Sequence, residues 1–255
     1  MQTRRHFLTS AAVVSGITFL PFKAAADKNG GDSFASDTGA VVVTPITHAS
    51  FVMQTHADTI YVDPVGGADL YRDMPAPDLI LITHEHGDHF DPATLDGIVR
   101  PNTALVANPG VFGNMSPVMQ ELTTAIANGD RAAAGSAMID AIPAYNITPE
   151  RLNFHPKGRD NGYVVSIDGL RVYISGDTED IPEMRALQDI DIAFVSMNLP
   201  FTMDAAAAAS AVTEFAPSYV YPYHTRGRDN GTQDPAEFAA LVKGDIEVKF
   251  GNWYG

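Results

Sequence analysis

The feature that most constrains this chain is a short apolar run, "PDLILI" (residues 77–82), that leads directly into "THEHGDHFD" (83–91). A buried strand is expected over the run, and the turn after it crowds three histidines and three carboxylates into a few residues. In such a turn alternate residues can aim at one metal ion while the next Asp-His pair aims at a second, so His84, His86, Asp88 and His89 read as ligands of two neighbouring cations.

The rest of the chain sets that turn in a mixed α/β frame. Strands are expected at 41–47, 50–55, 59–65 and 103–108, with helices at 92–100 and near 116–127. Further strands are expected near 136–142, 163–168 and 171–175. The last third then alternates helix 182–188, strand 191–197, helix 204–215, strand 218–223, helix 234–242 and strand 245–250. An antiparallel front followed by alternating units suggests two sheets with helices packed outside. The length of 255 residues and a hydrophobic content of 45% allow a large core.

Composition narrows the chemistry. There is no cysteine, so disulfides, thiolate metal sites and a cysteine nucleophile are excluded, and any metal must be held by nitrogen and oxygen. "TRRHFL" (3–8), the apolar run "AAVVSGITFLPF" and the alanines at 24–26 resemble a twin-arginine signal peptide over residues 1–26, which implies periplasmic export and no stable membrane anchor. Its removal takes away Arg4, Arg5 and Lys23 and no acid, leaving 13 bases against 31 acids and a net charge of −18. Such a surface argues against nucleic acid as a partner and leaves a small molecule as the expected one. Residues 27–39, polar and glycine-rich, are expected to be a flexible lead-in, and 40–255 one folded domain.

The His-x-His-x-Asp-His turn resembles the signature of the metallo-β-lactamase superfamily, and the resemblance spans residues 41–255. It implies a four-layer αββα sandwich and a hydrolase that uses a dinuclear metal-bound hydroxide. "YISGDTED" resembles that family's strand-ending Gly-Asp-Thr, which makes Asp177 the carboxylate expected between two metals. "VYPYHT" makes His224 a ligand of the second metal. Where many relatives carry a further histidine this chain has Asn146. His155 in "FHPKGRDNGY" is the expected replacement, because "HTRGRDNG" (224–231) repeats its layout. Asn146 would then turn its amide to substrate or support a ligand.

"THASFVMQT", "IYVDPV" and the closing "GNWYG" resemble the ascorbate-phosphate lactonase-like and phospholipase-D-like branch, placing His48 beside the metals as a catalytic candidate and Asp63 behind a ligand histidine. Asp88 is expected to hold the attacking hydroxide and carry its proton. Zinc is the first expectation for the two cations, with manganese or iron also suited to these ligands. Lys157, Arg159, Arg226 and Arg228 are candidates for an anionic group on the substrate. The reaction class implied is hydrolysis of a small lactone, amide or phosphoester. Alternatives are a lipid-related phosphodiesterase with an apolar mouth near Phe112, Met115 and Phe201, and a non-catalytic metal-binding scaffold. Oligomeric state is open.

Overall fold

The computed structural model describes residues 31–228 and 231–254. The expected signal segment at 1–26 lies outside the described residues. Strands β1 (Asp32–Ser36), β2 (Gly39–Thr47), β3 (Ser50–Gln54), β4 (Thr59–Val62), β5 (Leu79–Ile82), β6 (Ala104–Ala107) and β7 (Thr123–Ala125) form one seven-stranded sheet in that spatial order. The second sheet has β8 (Arg131–Ala134), β9 (Ala137–Ala144), β10 (Asp160–Ile167), β11 (Leu170–Ile174), β12 (Ile192–Ser196), β13 (Tyr219–Tyr223) and β14 (Glu247–Val248), again in sequence order. In each sheet the first four strands pair antiparallel and the last three continue in parallel.

Side-chain alternation explains why two sheets and two outer layers are needed. Leu79 and Leu81 of β5 point into the space between the sheets, whereas Ile80 and Ile82 point outward, so both faces of the strand are apolar and both must be covered. The inner faces meet in one core, where Phe51 stacks on Phe194 at 3.9 Å and Phe194 on Tyr221 at 4.9 Å. Helix α1 (Pro92–Ile98), with α2 (Pro109–Asn114) and α3 (Pro117–Glu121), covers the first sheet. Over the second lie α4 (Pro182–Arg185), α5 (Ala205–Phe215) and α6 (Pro235–Leu241). The run of alanines is one face of α5: Ala205, Ala208, Ala209 and Ala211 are buried against the sheet, and Asp204 caps the helix by accepting a hydrogen bond from the Ala207 amide. Helix, sheet, sheet, helix is thus the order of layers, in a single α/β domain.

Two expectations are corrected, and one strand is new. The expected lead-in at 27–39 contains β1, because Phe34 is an apolar anchor that packs edge-on against Tyr219 at 4.8 Å, and β2 begins at Gly39. The helix expected near 116–127 stops at Glu121, since Thr123–Ala125 pairs with β6 as a parallel edge strand. Beyond the polar turn at 127–130, β8 pairs antiparallel with β9, although its "RAAA" sequence carries no strand signal. Among the described residues no helix is long and apolar enough to cross a membrane.

Because Phe34 ties the first strand to the opposite sheet, Phe34→Ala should lower unfolding free energy by about 3 kcal/mol, as for other buried phenylalanines. Urea denaturation followed by tryptophan fluorescence checks this, Trp253 being the only tryptophan and part of the same core. A loss within experimental error would mean that β1 contributes nothing to the fold.

Candidate metal centre

The parallel strands bring their C-terminal ends to one edge of the sandwich, the usual place for a site in open α/β sheets. Asp63 follows β4, Thr83 and His84 follow β5, Asp177 follows β11, and His224 follows β13. Three of the residues there, His48, Asp63 and His224, hold backbone φ values of 49°, 43° and 49° without being glycine. Left-handed backbone is costly for such residues and is kept where the surroundings over-determine it, commonly at functional sites. Gly176 precedes Asp177 with φ 59°, and a Cβ there would stand 2.7 Å from the Asn161 carbonyl oxygen. The glycine therefore lets β11 turn close against β10 and deliver the carboxylate.

Six of the eight histidines gather at this edge. His84, His86 and His155 form one group of close donor atoms, His84, His89 and Asp177 a second, and His48, Asp88 and His224 a third. Asp177 lies at the centre: Oδ2 is 3.4 Å from His155 Nε2 and 3.5 Å from His224 Nε2, while Oδ1 is 3.5 Å from His89 Nε2. His224 Nε2 and His48 Nε2 are each 3.3 Å from Asp88 Oδ2. His84 Nε2 faces His86 Nδ1 at 3.1 Å.

Behind these atoms the far ring nitrogens are held. Asp63, fully buried, lies 2.7 Å from His89 Nδ1 and accepts hydrogen bonds from the backbone N–H and the hydroxyl of Thr83. The buried Asp160 does the same for His155, 3.0 Å from Nδ1. Asn198 lies 2.7 Å from His224 Nδ1. Such partners aim imidazoles at a metal and raise their basicity. Asp160, Asn198 and Thr83 escaped the sequence reading, although Asp160 stands inside the repeated "GRDNG" and was open to notice there.

Burial, reinforced by repulsion from His89 and His155, holds the His84 imidazole well below its ordinary value, and burial beside His155 lowers His86. His89 goes the other way. Burial is the largest influence on it and disfavours its charge, but Asp177 and Asp63 together prevail and push it up to about 9. Asp177 and Asp88 are kept ionised: burial opposes their charge most, yet His224, His89 and His155 prevail at Asp177, and hydrogen bonds to His224 and His48 prevail at Asp88.

A metal fits this donor set on one further observation. His89 Nε2, His224 Nε2 and Asp177 Oδ1 are buried and have no hydrogen-bond partner. Buried polar atoms are otherwise nearly always satisfied, and these orphaned nitrogen and oxygen donors around Asp177, with His89 Nε2 3.5 Å from its Oδ1 and His224 Nε2 3.5 Å from its Oδ2, suit a divalent cation.

Comparison with known proteins agrees with the fold. A beta-lactamase superfamily domain matches residues 42–224, from β2 to His224. The chain belongs to the metallo-β-lactamase superfamily. Within that superfamily it is 30% identical over 216 residues to a UPF0173 metal-dependent hydrolase of Thermococcus kodakarensis, covering 82% of this chain and 95% of the relative. A crystal structure from Parabacteroides distasonis, described as a metal-dependent hydrolase, shares 40% identity with a TM-score of 0.77, covering 87% of this chain and 97% of its own. The fold alone is shared with a diiron β-hydroxylase from Streptomyces venezuelae, at 20% identity, TM-score 0.59, 80% of this chain and 48% of that one. The protein is a metal-dependent hydrolase of the metallo-β-lactamase superfamily.

Other expected residues of this metallo-β-lactamase site have different surroundings. The Asn146 side-chain nitrogen donates to the carbonyls of Arg151 and Phe201 and its backbone N–H to that of His155, which braces the 146–155 segment behind His155, while its Oδ1 is buried without a hydrogen-bond partner. Lys157 pairs with Tyr145 and Glu183 at the surface. Arg159 binds Asp160 and Glu85 and approaches His86 Nε2 at 3.4 Å, which makes it a brace for ligand histidines before it is an anion receptor. Arg226 lies over the Tyr254 ring at 4.0 Å, and Arg228 over Phe201 at 5.6 Å. Met115 is buried in the core under the first sheet, so it lines no mouth.

Two outcomes follow from the packing around His89. In the metal-free protein at pH 7 its raised pKa keeps it protonated, and coordination requires the bare Nε2, so metal uptake should release about one proton from this residue. Calorimetric titration in buffers of different ionisation enthalpy measures that proton, and a buffer-independent enthalpy would contradict it. Asp63→Asn, which weakens the partner of His89 Nδ1, should lower metal affinity by roughly 10–100-fold, as read by competition with a chromophoric chelator.

Proposed function

We propose that this hydrolase is dinuclear, with His84, His86 and His155 holding one divalent cation, Asp88, His89 and His224 a second, and Asp177 shared between them. The observation that supports the reading best is the central place of Asp177, whose two oxygens face ligand histidines from both groups. Zinc is the proposed metal, and manganese or iron suits the same nitrogen and oxygen donors. Two cations there would supply Lewis acidity, making water easier to deprotonate near neutral pH and polarising the oxygen of a carbonyl or phosphoryl group.

The chain's own residues divide the remaining work. His84, His89, His155 and Asp177 are buried, whereas the Asp88 side chain is 47% exposed and that of His48 22%. Substrate therefore meets Asp88 and His48 first. Asp88, held ionised, accepts a hydrogen bond from an attacking water and orients it. Phe154 and Phe201 pack edge to face at 5.0 Å near the same loops, with Arg228 over Phe201, which suits a small substrate with an anionic group and an apolar part. The reading is hydrolysis of a small lactone, amide or phosphoester, in the lactonase-like branch that the "THASF" and "GNWYG" stretches resemble. The arginine pair of residues 4–5 supports export to the periplasm by a twin-arginine route.

The test is elemental analysis of the mature protein purified without chelators, beside His155→Ala. Two ions per chain, falling towards one in the variant, are expected. Turnover on lactone and phosphodiester panels should be abolished by a chelator and restored by added cation. One ion or none, unchanged in the variant, would sink the dinuclear reading, and no metal-dependent turnover would favour a binding role.

A further inference from the structure

His48 belongs to a group of three possible metal donors, yet its other ring nitrogen faces a residue that restricts what it can do. The Tyr254 hydroxyl accepts hydrogen bonds from the backbone N–H groups of Thr225 at 3.0 Å and Arg226 at 3.2 Å. Both lone pairs of the phenol oxygen are then in use, and its own proton is the one bond left to make. That proton has a partner at 3.0 Å, His48 Nδ1. A nitrogen that accepts from the phenol carries no hydrogen, so the neutral ring must carry its hydrogen on Nε2. There it meets Asp88 Oδ2, a carboxylate oxygen, at 3.3 Å.

We propose that Tyr254 is a positioning residue that fixes His48 as its Nε2–H tautomer, making His48 a hydrogen-bond donor at the open edge of the site and not a metal ligand. The proposal deepens the dinuclear reading and rests on it for the identity of the neighbouring ligands. Several independent features agree with it. The peptide N–H of His48 is held by the Trp253 carbonyl at 3.1 Å, and its carbonyl accepts from the His224 N–H at 3.2 Å, so the same terminal stretch fixes both backbone and ring of His48. The imidazole packs against that of His224, with centroids 3.9 Å apart and planes tilted by 48°, which restricts the ring's orientation. Burial raises the Tyr254 phenol above its ordinary value, so it keeps the proton that it donates. An N–H in this place ties Asp88 down from the solvent side, a role that a lone pair committed to a metal could not fill.

The experiment is nitrogen-15 NMR of histidine-labelled mature protein loaded with cadmium-113, for the wild type and Tyr254→Phe. In the wild type His48 should show a proton-bearing Nε2, an Nδ1 of the bare type perturbed by the phenol, and no splitting by cadmium. In Tyr254→Phe the Nδ1 resonance should move towards that of an unbonded nitrogen while bound cadmium per chain is unchanged. A proton on Nδ1, or cadmium splitting at His48, would overturn the proposal. Should Tyr254→Phe fail to fold, His48→Ala decides the point: full cadmium content is expected, and loss of one ion per chain would show that His48 is a ligand. Failure of the dinuclear reading has a different signature, one cadmium in the wild type with His48 still protonated at Nε2.

Discussion

Asp177 is a carboxylate buried among imidazoles, and a charge in that position is tolerable only with partners whose own burial has been met. Its oxygens face His155, His224 and His89, and two of those rings are backed by further buried carboxylates, Asp160 and Asp63. Taking any single charge out of water would cost several kcal/mol unless paired. The site is therefore a connected network, and its outer members, Thr83, Arg159 and Asn198, are as necessary to its shape as the atoms that face the metal. The three left-handed residues at its edge are the strain that this packing sustains.

The two sheets have the same plan, four antiparallel strands followed by three parallel ones, and the site draws matching positions from each. Asp63 follows the fourth strand of the first sheet, and Asp177 follows the fourth strand of the second. His48 lies between the second and third strands of its sheet, and His155 between the second and third of the other. Yet the matched residues have diverged in task. Asp63 braces a ligand from behind while Asp177 stands among the ligands. His155 presents a ring backed by a carboxylate, whereas His48 presents one backed by a phenol. The contrast between those two backing groups is what separates a metal-seeking lone pair from an N–H.

Burial also gives the site a direction. The ligand atoms nearest Asp177 are closed off, and Asp88 and His48 form the open side together with the aromatic and arginine-bearing loops at 154, 201 and 226–228. In a chain whose formal charge is −15, cations at that rim are the exception to the general field. An anionic substrate would be repelled by most of the surface and received at this edge.

Much of this was readable from the chain alone. The His-x-His-x-Asp-His turn behind "PDLILI" declares a metal chemistry by residue type and spacing, periodicity suggested two sheets with helices outside, and the Gly-Asp-Thr after β11 and the histidine after β13 stood out through their resemblance to the family's motifs. Short edge strands such as β1 and β8 were not visible, since they owe their existence to a neighbour and not to their own pattern. The tasks of Asn146, Arg159 and Tyr254 were equally hidden. Their residue types permit many bonds, and which bond each makes depends on chain segments 55, 73 and 206 residues away that only folding brings together. The sequence by itself determined the candidate donor residues and the central strands that carry them. Tertiary structure alone decided which nitrogen of each imidazole is free, because that depends on what stands behind the ring.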